Sequence, residues 1–256
     1  MNKKRTRPGA VETTEPMEAS DLDNPRCACY AAQFDTSAPN ETIDPAIVDD
    51  PGFSETIARF LSGTSLSAFK TSYTCITQAR AQPDQLFLGW NGKVTLWRPQ
   101  STINFAAYAG GYPTADHAIF AAYHLNEAVG YWNATKFGVT FKWVKKLADA
   151  EFVLAYGGDG GDTLARAFFP NAEDLNTVFV YKRAFDPDTV NYQSNIFAHE
   201  EGGAVLFGKT NPNSVMSYKF PPVIQKTDKE TVRRLYKLRE GDKIENFLVD
   251  KVAPNN

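Results

Sequence analysis

Thr114 opens a stretch in which Ala118, Ile119, Ala122, Leu125, Val129 and Trp132 recur three and four residues apart. That spacing is the apolar stripe of an amphipathic helix, with Thr114 as its N-cap. So long a stripe must be buried against something, and the flanking stretches supply strands rather than more helix. KVTLWR (93–98) alternates before it. VTFKWVKK (139–146), EFVLAY (151–156) and TVFVYKR (177–183) follow, rich in β-branched and aromatic residues. A helix is predicted from near Ser194 that carries His199. A last helix covers TDKETVRRLYKL, where Thr227 and Glu230 form a capping box and Val232, Leu235, Tyr236 and Leu238 face inward. The order strand, helix, three strands, helix, turn, helix predicts an α+β or α/β plan, and α+β is the class expected: a mixed sheet covered by long helices.

This core spans 86–238, and the composition changes on either side of it. Residues 1–52 are rich in Pro, Asp, Glu, Thr and Ser without periodicity and are expected to be disordered. Residues 53–85 hold helical spacing in ETIARFLSG and SLSAFKTSYTCITQAR, a short helical extension. Residues 239–256 read as a frayed C-terminal tail. A chain of 256 residues, 43% of them hydrophobic, suits one globular domain with such flanks.

Several function classes fall away. The formal net charge is −3 and no motif gathers Lys and Arg, which argues against nucleic acid. The basic KKRTR (3–7) reads as a solvated tail. No apolar run reaches the roughly 18 residues of a membrane span, and the opening segment lacks the apolar core of a secretory signal. The expectation is a chain without membrane contact, cytoplasmic as written and extracellular if the N-terminus is incomplete. Three cysteines, Cys27, Cys29 and Cys75, cannot all pair within one chain and form no CxxC. A GxSxG elbow, a papain-like cysteine, a Walker motif and a dinucleotide fingerprint are all absent from the sequence.

The chemistry is concentrated in FAHEEGGAVLFGKTNPNSVMSY (197–218). A zinc protease needs three protein ligands and an open position for water. The metal lowers the pKa of that water, and a carboxylate takes its proton. HExxH meets the need on a helix because two histidines four apart share a face. A His–Glu pair alone is an ordinary helix pair on a solvated face, so the context decides. The long helix ends near Trp132, and a V-x-F strand follows at Val139 and Phe141. After it come an Ala-Glu strand at Ala150 and Glu151, the glycine-rich loop GGDGGD (157–162), a Phe–Pro corner at Phe169 and Pro170, the His–Glu segment and SVMSY.

Together these pieces resemble the matrixin branch of the metzincin zinc endopeptidases, over roughly 86–238. The resemblance implies a twisted mixed sheet with long helices and a cleft along an edge strand. It implies zinc-dependent endopeptidase action on protein or peptide substrates by a monomer. His199 would be the first zinc ligand and Glu200 the general base. Met216 would be the methionine of the turn beneath the metal, and Tyr218 a hydrogen-bond donor near the developing oxyanion. Read without the resemblance, Met216 is a buried gap-filler and Tyr218 a half-buried turn aromatic.

The chain departs from the family pattern HExxHxxGxxH. Laid on without a gap, the second ligand position is Gly203, the glycine position Leu206 and the third ligand position Lys209. Glycine has no side chain, and a protonated lysine has no lone pair to give. The only other histidines, His117 and His124, fall on the first predicted helix. One histidine cannot hold zinc tightly enough for hydrolysis. Either the ligands have been substituted, leaving a pseudoprotease that binds peptides or serves as a structural domain, or a segment is missing between Glu200 and Glu201 or nearby. The second is favoured, because Gly202 and Gly203 would each cost about 1 kcal/mol against alanine inside a helix, a local conflict that foldable sequences avoid. Weak order is expected from Glu201 to Asn213.

Three further features belong to the same resemblance. Asp159 and Asp162 of the glycine-rich loop are hard oxygen donors suited to a structural Ca2+; a tight metal-free turn explains them equally well. Family members with a structural zinc carry His where Arg166 stands, so zinc is not expected there. TVFVYKR would be the edge strand that pairs with an extended peptide, or equally an interior strand. Pro25, Arg26 and Cys27 match three residues of the matrixin pro-segment motif, but Ala28 replaces its glycine and the match reads as coincidence.

Overall fold

In the computed structural model, α1 is Phe53–Ser62, β1 is Lys93–Trp97, β2 is Thr102–Ala107 and α2 is Ala115–Asn133. There follow β3 (Thr140–Trp143), β4 (Phe152–Tyr156), β5 (Ala165–Arg166), β6 (Asn176–Val180), α3 (Lys226–Tyr236), β7 (Lys243–Ile244) and β8 (Phe247–Val252). The structure describes residues 42–50, 52–62, 92–172, 175–190, 193–194, 196–197, 211, 213–215, 223–244 and 246–255.

The main sheet has the order β3-β2-β4-β6-β5. Its first four strands are parallel, and β5 is antiparallel to β6. The fold is therefore α+β with a mixed sheet. Helix α2 is the crossover between β2 and β3, as a parallel pair requires. Thr114 caps it as expected, its hydroxyl accepting from the His117 N–H at 3.4 Å. Ala118, Ala122, Leu125, Val129 and Trp132 are buried against Ile103, Phe105, Leu154 and Val178 of the sheet, with Ile119 only partly buried. Phe105 sits between Trp143 and Phe152, its ring 6.0 and 5.5 Å from theirs. Burial of a side chain that large stabilises by about 1.5–3 kcal/mol. On the opposite face, Ala106 and Val153 are covered by Leu147 and Ala150, from the turn that links β3 to β4.

Strand β2, at the heart of this sheet, was not among the expected strands. Ile103, Phe105, Ala106 and Ala107 are all buried, so TINFAA does not alternate as a half-buried strand does. At the outer side of β3, Asn133 accepts from the Phe141 N–H and donates to the Phe141 carbonyl, both at 2.9 Å. One side chain thereby occupies backbone groups that a sheet edge would otherwise present to another chain.

A second, three-stranded sheet has the order β1-β8-β7. The strand expected first in the core sheet thus belongs elsewhere. Residues 239–256 are not a frayed tail: β8 runs parallel to β1 from Leu248 opposite Lys93 to Val252 opposite Trp97, and β7 is antiparallel to β8. The reason is burial. Val249 and Ile244 pack with Val94, Leu96 and Leu235 of α3, and Lys93 pairs with Asp250 at 2.8 Å. Helix α3 starts at Lys226, one residue before Thr227, so Thr227 and Glu230 are not its capping box. Instead Asp228 accepts from the Gln225 N–H at 2.7 Å. Arg233 then donates to the Thr135 carbonyl just beyond the end of α2 at 2.6 Å, which ties α3 to that helix terminus.

The N-terminal flank also differs from expectation. Residues 42–50, read as part of a disordered segment, are ordered by burial of Ile43 and by an N–H donated from Ile43 to the Ala107 carbonyl at 2.9 Å. Asp44 caps the turn Pro45–Asp49, accepting from the Ala46 N–H at 3.1 Å. An Asp-Pro pair at the cap and first helical position is a start signal visible in the sequence. The expected helix in ETIARFLSG is present as α1; SLSAFKTSYTCITQAR lies outside the described residues. Among the described residues, no helix is long and apolar enough to cross a membrane.

Candidate functional site

The parallel strands β2, β4 and β6 end on the same side of the sheet, and the chain after each of them converges there. Tyr112 follows β2, Tyr156 ends β4 and Phe185 follows β6. The Tyr112 ring lies 5.2 Å from Tyr156 and 6.2 Å from Phe185, and His117 of α2 lies 5.0 Å from Phe185. This is the end of an open parallel sheet at which ligands bind, beside the strand whose neighbours were added in opposite directions. The Tyr112 hydroxyl is buried, and burial pushes its pKa far above the usual phenol range. Burial likewise lowers the His117 imidazole below its ordinary value, with Asp116 opposing the shift. The His117 Nδ1 lies 2.7 Å from the Thr114 hydroxyl.

The glycine-rich loop has an account in the packing of this region. A Cβ on Gly157 or on Gly160 would collide with the Tyr181 ring. Gly158 and Gly161 have φ of 75° and 60°, which favour glycine. The loop is tied down by N–H groups of Gly157 and Lys182 donating to the carbonyls of Val180 and Gly158, each at 2.9 Å. Asp159 accepts from the Gly161 N–H at 3.1 Å, a local turn of the kind Asp favours. Both Asp159 and Asp162 are exposed. Asp162 adds to the field around Arg183, whose guanidinium makes two bonds to Asp188, at 2.5 and 2.6 Å. Those bonds foremost, with Asp186 and Asp162 contributing, raise the Arg183 pKa further. Among the described residues no three His, Cys, Asp or Glu side chains are grouped so as to hold a metal.

The two histidines of α2 do different things. His124 is buried, its Nδ1 2.7 Å from Glu127 and its ring edge-on to Phe120. His117 sits a full two turns earlier beside Phe185. Seven residues of helix separate them by about 10 Å along the axis, too far for both to ligate one ion at about 2 Å.

His199, Glu200, Met216 and Tyr218 lie outside the described residues, as do Gly203, Leu206, Lys209 and most of the span 201–213. Their neighbours are described. Residues 193–194 and 196–197 are helical, in line with the helix expected near Ser194. Ile196, Phe197 and Val215 are buried in the same core that α2 covers. Gln193 is buried and donates to the Ala184 carbonyl at 3.0 Å, which ties this helical stretch to the chain after β6.

One functional candidate was missed in the sequence. Asp228 is 7% exposed. Its carboxylate accepts from the Ser214 hydroxyl at 2.5 Å, the Val215 N–H at 2.9 Å and the Gln225 N–H at 2.7 Å. A buried carboxylate is tolerated because charge-assisted bonds replace its water. It thereby fixes the two residues that precede Met216. Its only sequence signal is an acid in the first turn of a helix; two of its three partners, Ser214 and Val215, lie on a separate loop. For the strand TVFVYKR the structure selects the interior alternative over the edge: β6 lies between β4 and β5, and β5 ends the sheet.

No protein-family model matches the chain, and no curated protein matches it.

Proposed function

We propose that this chain carries a matrixin-like metallopeptidase domain of the metzincin plan, with a zinc site that is incomplete as the chain stands. The supporting order is a central strand, a long helix ending at Asn133, two strands, a glycine-rich loop, a short antiparallel strand at the end of the sheet, a Phe–Pro corner, the strand β6 and the helical residues 193–194 and 196–197. One observation carries the reading. Phe197, two residues before His199, and Val215, one residue before Met216, are buried in the same core. A His–Glu helix above a methionine turn requires its two halves to be anchored together in this way.

The donor set does not fit a catalytic zinc. His199 supplies one imidazole, while Gly203 and Lys209 stand where two more are needed. His117 and His124 are too far apart on α2 to stand in for them together. Glu200 and Tyr218 therefore keep their places as general base and oxyanion partner in the reading, without a metal-bound water to act on. What remains available is recognition: an extended peptide laid along β5 at the end of the sheet. The same reading gives Asp159 and Asp162 to a calcium ion.

Two forms of this proposal differ at Glu200 and Glu201. If a segment is missing there, the full protein is an active endopeptidase; if the ligands were substituted, the domain binds peptides without cutting them. Reading the transcript across those two codons separates them. Two further histidines in register restore the enzyme. The present sequence, confirmed, leaves the binding domain, which digests casein no faster with zinc than with a chelator.

A further inference from the structure

We propose that residues 42–62 are a detachable strap, and that their docking holds the 108–112 loop, and with it the aromatic cluster at the candidate site, in one arrangement. The inference rests on the geometry of that site and not on the peptidase reading.

Strand β3 pairs with β2 only as far as Trp143 opposite Phe105. Beyond that point the place beside β2 is taken by the N-terminal segment. Thr42 bridges Tyr108 in antiparallel fashion, and Ile43 donates to the Ala107 carbonyl at 2.9 Å. The Thr42 hydroxyl reaches the Lys145 carbonyl at 2.6 Å, and Asp44 pairs with the Lys145 ammonium at 2.6 Å. The segment then turns through Pro45–Asp49 and continues as α1, where Phe53 sets its ring 5.1 Å from Tyr123 of α2. Tyr123 in turn donates to Glu127 at 3.2 Å.

Two large apolar anchors, Ile43 and Phe53, are buried in this segment. The Asp44–Lys145 pair is half exposed and is weakened by solvent and salt. Among the described side chains of the segment, Ile43 and Phe53 are the buried anchors and Ile47 is partly buried against the core, with two hydrogen bonds and one ion pair as the polar ties to the domain. Segments with few buried contacts open well before the core does.

The strap is connected to the site by a short run of chain. Tyr108, which Thr42 bridges, folds its ring over Gly110 so closely that a Cβ there would collide with it. Four residues after Tyr108 comes Tyr112, packed against Tyr156 and Phe185. Docking at one end of 108–112 and ring packing at the other leave the loop little freedom.

Hydrogen exchange followed by mass spectrometry on the full chain tests this, comparing the parent with Phe53→Ala and with Asp44→Lys. The expected result is that exchange in 42–62 and in 108–112 accelerates together by about five-fold or more, as for one local opening unit, while 102–107 and 152–156 do not change. The proposal is overturned if 42–62 accelerates and 108–112 does not, or if all four regions accelerate alike. Should either variant fail to fold, the parent decides in dilute denaturant. A strap and loop that open together below the midpoint of β2 support the proposal, and a strap that opens only with β2 ends it.

Discussion

Asp159 and Asp228 both accept main-chain N–H groups, yet one is exposed on a loop that the sequence singles out and the other is buried where it does not. Asp159 makes a single described bond, to the Gly161 N–H two residues away. Asp228 makes three, and two of them reach a loop 13 and 14 residues back along the chain. A carboxylate in a glycine-rich run draws the eye because the pattern is local. The carboxylate that fixes the chain ahead of Met216 is defined by partners brought to it in the fold. Burial, not sequence context, decides which of the two the structure depends on.

That contrast can be broken most directly at Asp228. Asp228→Ala leaves the Ser214 hydroxyl and the N–H groups of Val215 and Gln225 without their acceptor. The Val215 N–H is buried and the other two donors are part-buried; an unsatisfied buried donor costs about 1–3 kcal/mol, so the substitution is expected to destabilise by about 2–3 kcal/mol in urea unfolding. A loss under about 1 kcal/mol would mean that water serves these donors equally well.

Gly160→Ala sharpens the other side of the comparison, by asking whether the loop is shaped by Tyr181 or by its acids. The added methyl group meets the Tyr181 ring, and overpacking of this kind costs about 1–3 kcal/mol. The double variant with Tyr181→Ala should recover part of that loss. No recovery would place the cause elsewhere. Asp159→Asn is expected to cost under about 0.5 kcal/mol, because Asn makes the same turn and the site is exposed. A larger loss in thermal unfolding, with calcium stabilising the parent and not the variant, would assign the ion to this loop.

The smallest effect is a pH dependence. Burial lowers the folded-state pKa of His117 below the ordinary 6.5, so the unfolded chain binds the proton more readily. The stability this contributes is present above about pH 6.5 and is lost as pH falls through that value toward the folded pKa. His117→Gln should flatten that part of the stability profile. An unchanged slope would assign it to other groups.

How far the fold could be read from the sequence depended on how local each signal was. The Thr114 cap and the stripe from Ala118 to Trp132 lie within one helix, and α2 follows them closely. Strands β3, β4 and β6 carry enough β-branched and aromatic residues to be recognised. Strand β2 is buried on both sides and has Asn104 in its middle, so it shows neither alternation nor a clean apolar run. Strand β8 was read as tail because Asp250 and Lys251 interrupt its apolar residues and its partner, β1, lies more than 150 residues away in sequence. The aromatic cluster of Tyr112, Tyr156 and Phe185 is assembled from three separate strand ends, and no spacing in the chain announces it.

The measurement that bears most directly on the central claim is the zinc content of the purified chain after dialysis, read together with its digestion of casein. With one imidazole at the His199 position, well under one zinc per chain should remain, and a chelator should change nothing. One firmly held zinc per chain, with proteolysis that the chelator removes and zinc restores, would contradict the assignment of the ligands.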